Sequence, residues 1–269
     1  PVDWSRIDSK HTRNHYKKKN FPYLNEKISL DLNHPENASH IGVFGASGSG
    51  KSALLAILGS QVDNCIILDP ISGAFKKPLI WLGETNNWKQ LEIGPYVKLE
   101  NRLLLNTRDF GHHAVDAIFP NKDRPQAEKR IKKPLFDFFS MPSTSKRKTF
   151  NNLKNLFLDY PNAKSILDDL SLILHPEDKG ASIEQLSKGR KVIDVSTLSH
   201  DSSVVGFIIG GIVDLREKRF NFNPNKTQEP LLVCLEEFDT YGLPTMGSGK
   251  TMQLIFKLGR KMGLIGCAV

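Results

Sequence analysis

Residues 39–60 read SHIGVFGASGSGKSALLAILGS, and no other stretch of the chain restricts the fold as tightly. Ile41 to Phe44 is a short apolar run of the buried-strand kind. Gly45 to Gly50 is glycine-rich, and beyond Lys51 the residues Leu54, Leu55 and Leu58 recur at helical spacing. Strand, G-x-x-x-x-G-K-S and helix, in that order, form a loop that cradles phosphates. Its glycines let backbone N–H groups turn inward as an anion nest at the start of a helix. The spacing assigns Gly45, Ala46, Ser47, Gly48, Ser49, Gly50, Lys51, Ser52 and Ala53 to the nucleotide. Lys51 reaches the β- and γ-phosphates and acts in catalysis, and the Ser52 hydroxyl faces Mg²⁺. ATP and Mg²⁺ are the cofactors this implies.

A second stretch, GSGKT at 247–251, shares those letters without the surroundings. A full phosphate loop needs glycine five positions before Gly249, where this chain has Pro244, and Tyr241 to Met246 is turn-rich and not an apolar strand. Ser248 is expected to cap a helix whose apolar face carries Met252, Ile255, Phe256 and Leu258. One nucleotide site per chain follows.

The partner of the first copy is PLLVCLEEFD at 230–239, an apolar strand ending in two carboxylates. A strand beside the phosphate-loop strand is expected to deliver Glu236 to the metal shell, and Glu237 is expected to orient and deprotonate the attacking water. Other nucleotide hydrolases fit less well. A GTPase needs Asn-Lys-x-Asp, and NKDR at 121–124 and NKTQ at 225–228 both lack the final Asp. QLSKGRKVIDVS at 185–196 leads into a strand, not a helix, unlike a transporter signature loop.

Strand signals fall at 41–44, 65–69, 191–195, 231–235 and 263–269, with helices at 51–60, 203–219 and about 248–262. Buried strands alternating with helices argue an α/β fold with a mostly parallel central sheet. Residues 1–36 read as a basic N-terminal arm, with at most a short strand at 27–32, and 37–269 as the core. From 110 to 186 strand signals vanish and Pro- and Ser-rich turns separate helical stretches, which reads as an inserted helical subdomain. That segment holds most of the net charge of +8. Ten basic residues (Lys122, Arg124, Lys129, Arg130, Lys132, Lys133, Lys146, Arg147, Lys148, Lys154) stand against three acids between 122 and 154. Such a run suits phosphate contact without sequence specificity, or else a solvated helix face. Cys65, Cys234 and Cys267 each sit in an apolar run without metal-like spacing and are expected as buried, reduced thiols. The longest apolar run, VVGFIIGGIV at 204–213, is far short of the ~20 residues that span a bilayer, which points to a cytoplasmic chain without a transmembrane segment.

The ordered set SHIGVFGASGSGKSALL, IILDPISGAF, KVIDVSTLS, LLVCLEEFD and LGRKMGLIGCAV resembles the HerA/FtsK superfamily of P-loop translocases. The resemblance implies a RecA-like P-loop core and a ring, often a hexamer, with ATP at subunit interfaces and double-stranded DNA threaded through the centre. It also implies a membrane or capsid assembly as a further partner. By the same resemblance Arg260 is the catalytic arginine offered to a neighbour's γ-phosphate, the alternative being a cation at a helix C-terminus. Asp69 matches a family acid near the nucleotide. Two departures stand out: most family members carry Asp-Glu where this chain has Glu236-Glu237, and the sequence stops at Val269, where the family places a polar sensor. Either the sensor is absent or this is a piece of a longer chain. The motor expected is an ATP-driven DNA translocase for packaging, conjugation or end processing. A protein-secretion ATPase and a nucleotide-binding scaffold with little turnover are the alternatives.

Overall fold

The computed structural model describes residues 32, 40–46, 48–71, 73–94, 97–98, 100–119, 130–198, 202–237 and 247–269. The arm over 1–36, Leu32 apart, therefore lies outside the described residues. So do Ser47 and three members of the basic run, Lys122, Arg124 and Lys129.

Among the described residues six strands form one sheet, parallel throughout: β1 (Ile41–Gly42), β2 (Cys65–Asp69), β3 (Trp88–Glu92), β4 (Arg190–Asp194), β5 (Leu231–Leu235) and β6 (Leu264–Ala268). Their spatial order is β1-β6-β5-β2-β4-β3. The inner strands CIILD and LLVCL are buried at every position, as continuous apolar runs must be when helices cover both faces. Helices α1 (Lys51–Ser60) and α2 (Lys76–Trp81) cover one face, where Leu55, Leu58, Phe75 and Leu79 pack on Cys65, Ile67, Leu232, Cys234 and Ile265. All three cysteines are free and buried, as expected.

The other face carries α3 (His112–Ile118), α8 (Ser202–Phe222) and α9 (Gly247–Leu258), packed on Ile66, Leu68, Leu231, Val233 and Leu235. Between α3 and β4 lie α4 (Lys132–Phe139), α5 (Phe150–Leu158), α6 (Lys164–Ile173) and the single turn α7 (Ile183–Leu186). Local signals set their starts: Thr149 caps α5, and Ser182 with Gln185 makes a capping box on α7. Phe138, Leu153, Ile166 and Leu170 of these helices join the same apolar cluster as the sheet. The α8 run VVGFIIGGIV is apolar on all sides because it lies between the sheet and this outer helical layer. Among the described residues, no helix is long and apolar enough to cross a membrane.

The structure corrects four readings. Strand β3 was not expected. It is an edge strand in which only Trp88 and Leu91 face inward, so its sequence, WKQLE, reads as a loop. The phosphate-loop strand and the acid-bearing strand are not neighbours, since β6 lies between β1 and β5. Helix α9 begins at Gly247, which places Ser248 inside the first turn, fully buried, and not at the cap. Lys148 is not part of a solvent-facing basic surface. It is buried, and its ammonium donates to the carbonyls of Phe110 (2.7 Å), Phe139 (2.7 Å) and Met141 (3.0 Å). Burial pulls its pKa down to about 8. Lys132 is drawn into an ion pair with Asp116 at 2.9 Å, whereas Arg130, Lys133, Lys146, Arg147 and Lys154 are exposed.

Candidate nucleotide site

In an all-parallel sheet the loops after the strands gather at one edge. The loop after β1 and the carboxylates after β5 therefore face the same way, two strand spacings apart, about 10 Å. The ladder of β1 continues one bond past the strand, from Val43 N–H to the Ala268 carbonyl (2.8 Å), and the chain then leaves the sheet as the loop. Gly48 (φ 75°) and Gly50 (φ 92°) take left-handed backbone conformations, which other residues reach only with strain. The turn is closed by Ser49 N–H donating to the Ala46 carbonyl at 3.1 Å. Gly50 is the N-cap of α1, and among the described residues no side chain caps that end, so its first-turn N–H groups are available to an anion. The Lys51 ammonium folds over the loop and donates to the carbonyls of Gly45 (2.9 Å) and Ala46 (3.2 Å).

Ser52, in the first turn of α1, closes the gap to β5: its hydroxyl donates to Oε1 of Glu236. Glu236 is 3% exposed, and its Oε2 is buried with no hydrogen-bond partner among the described residues. Burial raises the pKa of this carboxyl, the Ser52 hydrogen bond opposes the rise, and the Glu237 charge adds to it. A divalent cation would relieve both the orphaned oxygen and the buried charge, so Ser52 and Glu236 fit Mg²⁺. Glu237 follows with φ 53°, a left-handed backbone for a non-glycine residue, and is part-exposed. Such strain costs on the order of 1 kcal/mol where glycine would be free of it, and it concentrates at functional positions.

Register extends this edge further. Glu92, Asp194 and Asp69 pair across β3, β4 and β2, and Glu236 follows the Leu235–Leu68 pair, so four acids end four adjacent strands. Asp69 is 1% exposed and accepts from Ile71 N–H at 2.9 Å. Burial pushes its carboxyl up to about 7, with the charges of Glu236 and Asp194 adding to the rise. A cavity of about 240 Å³ is lined by Asp69, Lys76, Glu92 and Asp194. Of these four acids the sequence flagged Asp69 and Glu236, and not Glu92 or Asp194. The signal for the others was that CIILD, KVID and WKQLE all end on an acid at the same edge.

Arg260 does not join this group. It lies in the short helical turn Gly259–Met262 that precedes β6, at the opposite edge of the sheet, and is exposed. One strand of five residues, roughly 16 Å, separates that edge from its own phosphate loop. The second copy, GSGKT, is likewise not a loop. Gly247, Ser248, Gly249 and Thr251 are buried in the first turn of α9. A Cβ on Gly247 would stand 2.1 Å from the Ala117 carbonyl oxygen of α3 and 3.2 Å from Ser203 Cα of α8. Its glycine therefore permits a three-helix contact and binds no phosphate.

No protein-family model matches the chain, and no curated protein sequence matches it. Among solved structures it is similar to VirB4 of Thermoanaerobacter pseudethanolicus, a P-loop ATPase, with a TM-score of 0.50 over 90% of this chain and 73% of that one. Identity is 14%, so the likeness is one of fold. The fold is a RecA-like P-loop α/β fold.

Proposed function

We propose that the chain is an ATP-hydrolysing motor subunit of HerA/FtsK type, working in a ring that moves double-stranded DNA or a DNA–protein complex. The observation that carries this reading is the direct contact of Ser52 with Glu236, with Glu237 next in the chain. The loop N–H groups and Lys51 bind the β- and γ-phosphates, with the Lys51 bonds to Gly45 and Ala46 exchanged for phosphate oxygens. Ser52 and Glu236 hold Mg²⁺, which when bound neutralises charge on the phosphate oxygens. Glu237 takes the proton of the attacking water. Arg260, remote from its own loop, serves the nucleotide of an adjacent copy. The helical segment 110–186 and the arm 1–36 are the elements we assign to substrate contact, through the exposed Arg130, Lys133, Lys146, Arg147 and Lys154.

A motor that moves protein is the second reading. It is favoured by the removal of Lys148 from the surface basic run. ATP turnover with and without duplex DNA separates the two: stimulation supports DNA, and equal rates support protein. Glu237→Gln should retain ATP binding and lose turnover by about 10²–10⁴-fold. Absence of ATP hydrolysis by the wild-type chain, with Glu237→Gln changing nothing, would sink both motor readings and leave a nucleotide-binding scaffold with little turnover.

A further inference from the structure

Far from the nucleotide edge, the first turn of α3 and the later turns of α8 bring together three side chains that nothing above uses. Helix α8 starts beyond the end of β4 and runs back along the sheet, so Glu217 lies about 22 Å along it at 1.5 Å per residue. Asp214, one turn earlier, fixes the opposing backbone. Its carboxylate accepts from the N–H groups of Gly111 (2.8 Å), His113 (3.0 Å) and Ala114 (3.2 Å). That clamp holds both imidazoles of His112 and His113 against α8, with ring centroids 3.9 Å apart.

Glu217 Oε2 lies 3.2 Å from His113 Nε2 and 3.7 Å from His112 Nε2. One ligand atom from each of the three residues falls within 4.8 Å of the others. A tetrahedral ion with bonds of 2.0–2.1 Å needs ligand atoms ~3.3–3.4 Å apart, so small side-chain movements complete the geometry. Two imidazoles and one carboxylate form the donor set of an open zinc site, and imidazole disfavours the hard cations Mg²⁺ and Ca²⁺. His112 also has its Nδ1 3.6 Å from Asp214 Oδ1, so Asp214 is placed as the outer carboxylate that orients a ligating imidazole. The side chains of His112, His113 and Glu217 are 43%, 11% and 32% exposed, which leaves an approach for the ion. A cavity of about 750 Å³ is lined in part by His112, Asp214 and Glu217.

We propose that His112, His113 and Glu217 bind one divalent transition-metal ion of the Zn²⁺ class and so tie α3 to α8. The site stands apart from the P-loop, and its existence does not depend on ATP turnover. The full chain, stripped with a chelator, is titrated with Zn²⁺ in a calorimeter and with Co²⁺ under visible absorption. One equivalent should bind, Co²⁺ should give the intense d–d bands of a four-coordinate site, and the melting midpoint should rise with free Zn²⁺. Glu217→Gln and His112→Asn should each weaken Zn²⁺ binding at least tenfold, whereas His175→Asn, outside the cluster, should leave it unchanged. His112 is the most exposed of the three, so its variant should keep the metal-free melting midpoint. Absence of saturable Zn²⁺ binding by the wild-type chain, or equal binding by the wild type and both cluster variants, would overturn the proposal.

Discussion

The chain spells GSGK twice, and the two copies use their glycines for opposite purposes. At 48–51 the glycines lie at the surface with positive φ, and no atom of the described residues would obstruct a Cβ on Gly48. Their value is conformational. At 247–250 the glycines are buried in a helix, and a Cβ on Gly247 would strike backbone. Their value is volume. The difference teaches that a phosphate loop is defined by what precedes and faces it: a strand, a free helix N-terminus and a carboxylate across the gap. Among the described residues the second copy shows only a helix, and its hydroxyl turns inward, with Thr251 Oγ donating to the carbonyls of Gly247 and Ser248 at 3.0 Å.

Removing each lysine tests this contrast most sharply. Lys51→Ala deletes the cation nearest the bound phosphates and should lower ATP turnover by about 10²–10³-fold, the cost of losing one strong transition-state donor. Lys250→Ala loses only a loose ion pair with Asp116 at 3.8 Å, both side chains part-exposed, and should keep turnover within about twofold. Steady-state rates at saturating ATP and Mg²⁺ check both. A large loss in Lys250→Ala would break the assignment of one nucleotide site per chain.

Local features of this kind were legible in the sequence, and those that depend on register were not. CIILD and LLVCL announce themselves because strands buried on both faces must be apolar throughout. The G-x-x-x-x-G-K-S loop and the Glu236-Glu237 pair are each contiguous, so both stand out in the sequence without any knowledge of strand pairing. Strand β3 escaped because an edge strand needs few apolar residues. The alignment of Glu92, Asp194 and Asp69 escaped because residues distant in sequence meet only once pairing fixes which positions stand side by side. Lys148 escaped for a related reason. Within SKRK nothing distinguishes the one lysine whose ammonium meets three carbonyls, since those acceptors belong to the backbone of Phe110, Phe139 and Met141.

Stability separates the two copies more gently than activity does. Gly247→Ala forces α9 away from α3 and α8, and overpacking of this kind costs about 1–3 kcal/mol. Gly48→Ala meets no atom of the described residues and should cost roughly 1 kcal/mol through the strained φ. Denaturant melts of both variants measure the pair. If Gly247→Ala is the milder of the two, the close three-helix contact is not what keeps glycine there.

The smallest effect concerns pH and belongs to the first copy's edge. Burial holds the Asp69 proton up to about pH 7, whereas the unfolded chain releases it near its ordinary value of 3.8. Between those values the folded state binds more protons than the unfolded one, so the sign is negative and Asp69 lowers stability as pH rises. Asp69→Asn abolishes this titration while keeping an oxygen for the Ile71 N–H. Its melting midpoint should therefore rise relative to wild type between pH 5 and pH 8. A change on the order of 1 kcal/mol corresponds to about 2–4 °C in a chain of this size. A difference that stays flat across that range would mean that Asp69 ionises freely beside Glu236. The row of acids at the nucleotide edge would then be hydrated, and not a buried charge awaiting a cation.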